Sequence, residues 1–344
     1  MKNPRSLVCL IFCTMTVLLF CAQAAAGDTL TRIKARDDVR CGVSDGIQGF
    51  SFKEPDGRWS GMDADFCRAL AAAVLGDPGK VDFVSLAAPA RFASLKAGEI
   101  DVLARNTTWT LERESTLAVL FAGILYYDGQ SFLVSAKKNV QDLSQLNGVP
   151  ICVVKGTTHE VNMSDYFRSR DWSYRPVIVE SQAKAAEALF SGQCEAFTSE
   201  RPQLTAMRLK ASGGPEEFVI LPEQISKEPM GPVVRRGDDE WFTIVRWVVF
   251  TLIRAEETGI TRANVRSKLE SDTDPRARRL LELDDIISKA LTIPPGWAMR
   301  VLESVGNYGE MFERNLGSKS PLKLERGLNR LWTQGGLMYS PPFH

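Results

Sequence analysis

Short apolar runs alternate with polar loops and with stretches of helical spacing along the first hundred residues after Asp28. Val39-Arg40-Cys41-Gly42-Val43 is an apolar run that opens onto Ser44-Asp45-Gly46-Ile47-Gln48-Gly49, which predicts a strand feeding a loop. From Asp63 onward, Phe66, Ala69, Leu70, Ala73 and Val74 recur at helical spacing until Gly76 and Pro78 stop the helix. Val81-Asp82-Phe83-Val84 predicts a second strand, Ala90 to Lys96 a helix, and Ile100 to Ala104 a third strand. Alternation of this kind predicts an α/β fold built on a parallel sheet with helices on both faces.

The same order returns further along. Pro150-Ile151-Cys152-Val153-Val154 predicts a strand, Lys155-Gly156-Thr157-Thr158 its loop and Glu160 to Arg168 the next helix, so the chain holds two similar units. Leu95, Gly98 and Asp101 recur at identical spacing as Leu189, Gly192 and Glu195. Counted onward from each Leu, Asn106 and Glu200 are equivalent. Each falls just past the carboxyl end of a predicted strand, where open α/β sheets bind ligands.

Two further apolar segments need a different reading. Lys2 and Arg5 precede an apolar run from Leu7 to Phe20, and Ala22-Gln23-Ala24-Ala25-Ala26 follows it, the pattern of a secretory signal peptide cleaved near Ala24 or Ala26. Phe20 before Cys21 argues against a lipid anchor. Trp241 to Ile253 is interrupted by Arg246 and bounded by Arg254, which predicts a buried helix and not a membrane span. Toward the C-terminus, Leu280, Leu281, Leu283, Ile286, Ile287, Val301, Leu302 and Val305 predict helices packed on the first unit, and Gly335-Gly336 with Pro341-Pro342 predict an extended tail.

Composition narrows the class. Loss of residues 1–26 removes Lys2 and Arg5 and no acid, leaving 40 basic against 42 acidic residues, a balance that points to no nucleic-acid partner. The 318 residues that remain exceed the size at which a single core stops growing, so two domains are expected. Export also bears on the cysteines. Cys9, Cys13 and Cys21 leave with the signal peptide, and the even set Cys41, Cys67, Cys152 and Cys194 suggests two disulfides in an oxidising compartment. Three pairings are possible. Cys41 with Cys67 and Cys152 with Cys194 is favoured because each pair then lies within one predicted unit; four buried thiols are the alternative. No cysteine or histidine spacing supports zinc or another metal.

Four segments carry a more specific resemblance: Arg105-Asn106-Thr107-Thr108-Trp109-Thr110-Leu111-Glu112-Arg113, Tyr127-Asp128-Gly129-Gln130, Ile225-Ser226-Lys227-Glu228-Pro229-Met230-Gly231-Pro232 and Val305-Gly306-Asn307-Tyr308-Gly309-Glu310-Met311-Phe312. Together they resemble the general L-amino-acid-binding periplasmic proteins of ABC importers. That resemblance implies the periplasmic type II binding-protein fold: two Rossmann-like lobes joined by two crossing strands, here near Tyr126 to Leu133 and Leu221 to Pro232, with a C-terminal helical extension. It divides the chain into a signal peptide (1–26), a discontinuous first lobe (28–128 plus 230–344) and a second lobe (129–229). The implied partners are a free L-amino acid and the membrane permease subunits of an ABC importer, with no cofactor.

A clamp for an amino acid must supply partners for a carboxylate and an ammonium before either is buried. Arg113 presents a bidentate fork and, by the resemblance, holds the α-carboxylate. Thr108, Arg105 and Asn106 add donors and acceptors, and Ser44 approaches from the first loop. From the second lobe, Thr158 stands at a helix start that favours an anion, with Thr157 as its N-cap, and His159 reaches the ligand side chain. Glu200 meets the ammonium. Similar proteins carry Asp there, so the extra methylene implies a smaller pocket or a different ligand class. Phe50, Trp59 and Trp109 either wall the cleft or belong to the lobe core.

Two other classes compete with this reading. His159 and Glu200 could form an acid/base pair of a dehydratase-like cleft enzyme, although no Ser-His-Asp order or phosphate-binding glycine loop accompanies them. A ligand-sensing ectodomain is the second, disfavoured by the lack of a transmembrane segment beyond the signal peptide.

Overall fold

The computed structural model describes residues 28–44, 46–271, 274–281 and 285–343. The signal peptide and Leu283 lie outside the described residues. In chain order the elements are α1 (Thr29–Arg36), β1 (Val39–Ser44), β2 (Phe52–Lys53), β3 (Trp59–Ser60), α2 (Met62–Leu75), β4 (Val81–Leu86), α3 (Arg91–Ala97), β5 (Val102–Leu103), α4 (Leu111–Thr116), β6 (Val119–Phe121) and β7 (Tyr126–Asp128). The chain then runs through β8 (Gln130–Ser135), β9 (Pro150–Val154), α5 (Thr158–Arg168), β10 (Arg175–Val179), α6 (Gln182–Phe190), β11 (Ala196–Glu200), α7 (Arg201–Arg208) and β12 (Phe218–Ile220). It returns through β13 (Glu228–Met230), β14 (Val233–Arg235), α8 (Asp239–Glu257), α9 (Val265–Ser271), α10 (Pro275–Leu281), α11 (Asp285–Ala290), α12 (Trp297–Val305) and α13 (Tyr308–Asn315).

Two five-stranded sheets result, in the orders β4-β1-β5-β14-β6 and β10-β9-β11-β8-β12. Neither is purely parallel, as alternation alone predicts. In each sheet the three strands that alternate with helices are parallel, and the one strand that enters from the other sheet, β14 in the first and β8 in the second, runs antiparallel to both its neighbours, so that the edge strands β6 and β12 keep the parallel direction. A strand entered straight from the neighbouring sheet needs no helical crossover, so nothing forces it into the parallel direction. The crossing itself is the antiparallel pair β7 and β13, with Tyr126 opposite Met230 and Asp128 opposite Glu228. Here the backbones are close enough to require glycine: a Cβ on Gly231 would stand 1.9 Å from the Gly123 carbonyl oxygen.

The two faces of β9 show how the period of a strand builds the second lobe. Ile151 and Val153 point to one side and pack with Met163 and Phe167 of α5. Cys152 and Val154 point to the other and pack with Ala185 and Leu189 of α6 and with Leu204 of α7. Cys152 is bonded to Cys194 and Cys41 to Cys67, with S–S distances of 2.04 and 2.00 Å, so each pair ties a central strand to a neighbour in its own lobe. Closing loops of 26 and 42 residues stabilises each lobe by ~3 to 4 kcal/mol in the chain-entropy model.

The C-terminal region continues the first lobe's core. Leu280, Leu281, Val301, Leu302 and Val305 are buried in it, and α8 forms its centre with Trp241, Val245 and Val248. Ile286 is not part of this packing and stands 84% exposed, because α11 presents that face outward. The tail is not extended either. Leu331 bridges Met338, Phe343 packs edge-on against Trp247, and a Cβ on Gly336 would meet the Arg330 carbonyl oxygen at 1.9 Å. The glycine pair turns the chain back onto α8 instead of releasing it. Ahead of that turn, Asn329 lies against the crossing strand, where its side chain accepts from Tyr127 N at 2.7 Å and donates to Tyr127 O at 2.9 Å.

Candidate functional site

The carboxyl ends of the central strands of both sheets open onto one cleft. Among its walls are Arg91, Arg105, Asn106, Thr108 and Arg113 on one side, and Thr157, Thr158, His159, Glu200 and Gln203 on the other. The cleft and its mouth enclose about 460 Å³.

Three guanidinium groups approach the cleft from the first lobe, each anchored to main chain. Arg113 donates to Thr108 O at 2.7 Å, Arg105 Nε to Leu86 O at 2.8 Å and Arg91 to Ala88 O at 2.5 Å. Phe92 lies beneath two of them, with its centroid 4.8 Å from Arg91 and 5.4 Å from Arg113. Burial lowers the pKa of Arg91 and of Arg113. For Arg91 its two cationic neighbours add to the effect, whereas Glu228 and Glu200 offset it at Arg113. Sequence pattern did not single out Arg91. Its position, opening a helix shortly after the carboxyl end of β4, suits a ligand contact, but position alone does not say which way the side chain turns.

Asn106 sits at φ +35°, an uncommon conformation for any residue but glycine. Its N–H is held by Asp63 Oδ2 at 2.9 Å, and burial raises the Asp63 pKa to about 7 against the opposing pull of that N–H and of Arg105. The amide oxygen of Asn106 has no hydrogen-bond partner.

On the second lobe, Thr157 occupies the N-cap position of α5, but its hydroxyl donates to Val154 O and caps no helical N–H. The first-turn N–H groups are thus left for another acceptor. Thr158 Oγ1 donates to the Glu228 carboxylate at 3.1 to 3.2 Å. Glu228, buried in β13, also accepts from Asn162 at 2.7 Å and Ser226 at 2.9 Å, so a crossing strand is tied to the helix that lines the cleft. Glu228 was missed as well, although it lies within the segment Ile225 to Pro232 that carries part of the family resemblance.

His159 Nε2 stands 3.1 Å from Glu200 Oε2, and both side chains are buried. The approach is an ion-pair distance without hydrogen-bond alignment, and neither imidazole nitrogen has an aligned partner. Burial opposes charge on both groups, but each charge outweighs it for the other: the His159 pKa is raised and the Glu200 pKa lowered. Ser199 Oγ adds a hydrogen bond to Glu200 Oε2 at 3.0 Å.

Ser44 does not join this site. Its hydroxyl lies 2.6 Å from Ser51 Oγ and accepts from Ile47 N, so it is spent on closing the loop after β1. Phe50, Trp59 and Trp109 are also turned away: Phe50 packs on Tyr126, Trp59 stacks on Phe83 and Trp109 on Phe121. Phe50 is core, and Trp59 and Trp109 are half-buried against the core, where a ring buries more apolar area than in a polar cleft. No cluster of metal ligands occurs among the described residues, and no helix among them is long and apolar enough to cross a membrane.

Residues 39–260 match the model of the bacterial extracellular solute-binding proteins, family 3. The chain is 47% identical over 328 residues to the general L-amino acid-binding periplasmic protein AapJ of Rhizobium johnstonii, covering 95% of this chain and 96% of that one. It is 43% identical over 332 residues to the glutamate/glutamine/aspartate/asparagine-binding protein BztA of Rhodobacter capsulatus, covering 96% and 98%. Among solved structures, a periplasmic binding protein of an ABC transporter from Brucella ovis, with glutathione bound, superposes at a TM-score of 0.89 with 47% identity, over 92% of this chain and 100% of the other. These relatives are named as binding proteins and not as enzymes, so nothing among them supports the enzyme reading of His159 and Glu200.

Proposed function

The chain belongs to family 3 of the bacterial extracellular solute-binding proteins, and from that premise we propose that it captures an L-amino acid bearing a second acidic group and hands it to an ABC importer. The observation that carries this is the charge arrangement of one cleft: three anchored guanidinium groups face a buried carboxylate across the junction of two lobes. Arg113 takes the α-carboxylate, with the uncapped first turn of α5 and Thr108 as further donors or acceptors. Glu200 takes the ammonium. Arg91, whose Nε has no partner, takes the second carboxylate or its amide, and Arg105, Asn106 and His159 complete the wall.

Two lobes, 28–128 plus 230–344 and 129–229, would close by bending at β7 and β13. Because the partners stand on different lobes, the ligand binds the closed form better and shifts the population toward it. The permease subunits then read that form. Work in the periplasm, after cleavage of residues 1–26, accords with the paired cysteines.

A thermal-shift screen of the common L-amino acids tests the reading. Glutamate and aspartate are expected to give the largest rise, on the order of 3 kcal/mol at a hundredfold excess over Kd, with their amides next. No shift with any amino acid would sink the proposal, and a preference for apolar ones would displace Arg91 from its role.

A further inference from the structure

The cleft is not the end of the ligand-accessible space. Ile47, Ser181, Gln182 and Gln203 line it and also line a second, adjoining space that opens to solvent and measures about 880 Å³ with the open solvent at its mouth counted. The loop after β1, at Gly46 and Gln48, forms one side of this cavity. The other side is one face of α6, at Ala183 and Ala186, and one face of α7. Along α7, Gln203, Ala206, Met207 and Lys210 follow at the i, i+3, i+4, i+7 spacing of a single stripe, which continues past the helix end to Lys210. Alanine on both helices keeps the floor wide. A free amino acid held between Arg113 and Glu200 would leave this space to water.

Gln203 stands where the two cavities meet. It is 4% exposed, and its amide oxygen has no hydrogen-bond partner. A buried acceptor left without a donor costs about 1 to 3 kcal/mol, so this oxygen awaits an N–H. At the outer end the chemistry changes sign, because Lys210 brings an exposed cation, its Nζ 5.9 Å from the centroid of Phe52. From the inside outward the walls therefore present an amide oxygen, a small apolar channel and a positive charge.

We propose that this cavity is a tail subsite, and that the protein accepts short isopeptides: an amino-acid head whose side-chain carboxyl is joined through an amide to a further residue ending in a carboxylate. The amide N–H donates to Gln203, the linking carbons lie over Ala183, Ala186 and Ala206, and the terminal carboxylate meets Lys210. This rests on the proposal that the cleft holds the amino-acid head.

Isothermal titration of the full protein with L-glutamate and with γ-L-glutamylglycine separates the two proposals. The isopeptide is expected to bind within tenfold of glutamate or more tightly. Ala183→Phe blocks the channel at an exposed position outside the cleft. It should weaken the isopeptide at least tenfold and leave glutamate unchanged, and Lys210→Ala should weaken only the isopeptide, severalfold. Binding of glutamate with no binding of the isopeptide overturns the tail subsite and leaves the head site standing. Equal loss of both ligands in Ala183→Phe, or no loss of either, also overturns it. Failure of both ligands to bind the unaltered protein instead removes the head site on which the proposal rests.

Discussion

The two walls of the cleft carry opposite charge, and they are prepared for a ligand in different ways. On the first lobe, Arg91, Arg105 and Arg113 each lean on a main-chain carbonyl, and Phe92 supports two of them. Their positions are fixed before any anion arrives, so little side-chain freedom is lost on binding. On the second lobe, Glu200 faces an internal counter-ion in His159. A ligand ammonium must share or displace that partner. The carboxylate end of the ligand thus meets a prepared site, and the ammonium end meets a competitor.

If this contrast holds, Arg113→Ala should do the most damage. It removes charge-assisted hydrogen bonds worth roughly 1.5 to 3 kcal/mol each, so complete removal of a bidentate pair weakens glutamate binding by about a hundredfold to about ten-thousandfold. Titration calorimetry reads this directly. Retained affinity would move the carboxylate site elsewhere, most plainly to Arg91.

Glu200→Gln tests the opposite wall and should cost less, about a hundredfold, because a buried ammonium loses its acid while the neighbouring His159 is free to give up its proton. Glu200→Asp keeps the charge and draws it back by one methylene, away from His159. If the extra length serves the interaction with His159, the Asp form should recover most of the affinity. Equal loss in both variants would mean that reach, not charge, is what the ligand needs.

The same asymmetry runs through what could be read from the sequence. Periodicity marked β1, α2, β4, β9 and α5 to within a few residues, since one-sided burial leaves its period in the chain. Asn106 and Glu200 were legible by counting, because one lies just past and the other at the carboxyl end of a strand, on the same edge of their sheets. Arg91, Gln203 and Glu228 were not. Whether a residue in the first turns of a helix or in a crossing strand points into a cleft depends on helix rotation and on how the lobes approach, neither of which is local. Ser44 errs in the reverse direction: its position at the strand end is right, yet Ser51, seven residues on, is nearer than any ligand. The antiparallel strands were hidden for a related reason, as a turn back from another lobe leaves no mark in the periodicity of β14.

The smallest expected effect bears most closely on the contrast between the walls. In the empty cleft the Glu200 carboxylate raises the His159 pKa above its usual value, so the imidazole holds its proton to higher pH than it would in water. A ligand ammonium placed beside Glu200 repels that proton and lowers the pKa again. The bound form then carries fewer protons than the free form, and affinity must rise with pH between the two pKa values, by at most about tenfold per unit for a single proton. Below both values, and above both, the slope vanishes. Asp63, with a pKa of about 7, and Asp128, raised by burial to about 8, titrate near the same window, so the slope needs an assignment. His159→Gln supplies it: titration calorimetry from pH 5 to 9, in buffers of different ionisation enthalpy, should show proton release in the native protein and a flatter profile in the variant. Proton uptake on binding would place a ligand carboxylate, not the ammonium, against His159. The direction of the amino acid across the cleft would then be reversed, with Arg113 and its neighbours left to hold the second acidic group.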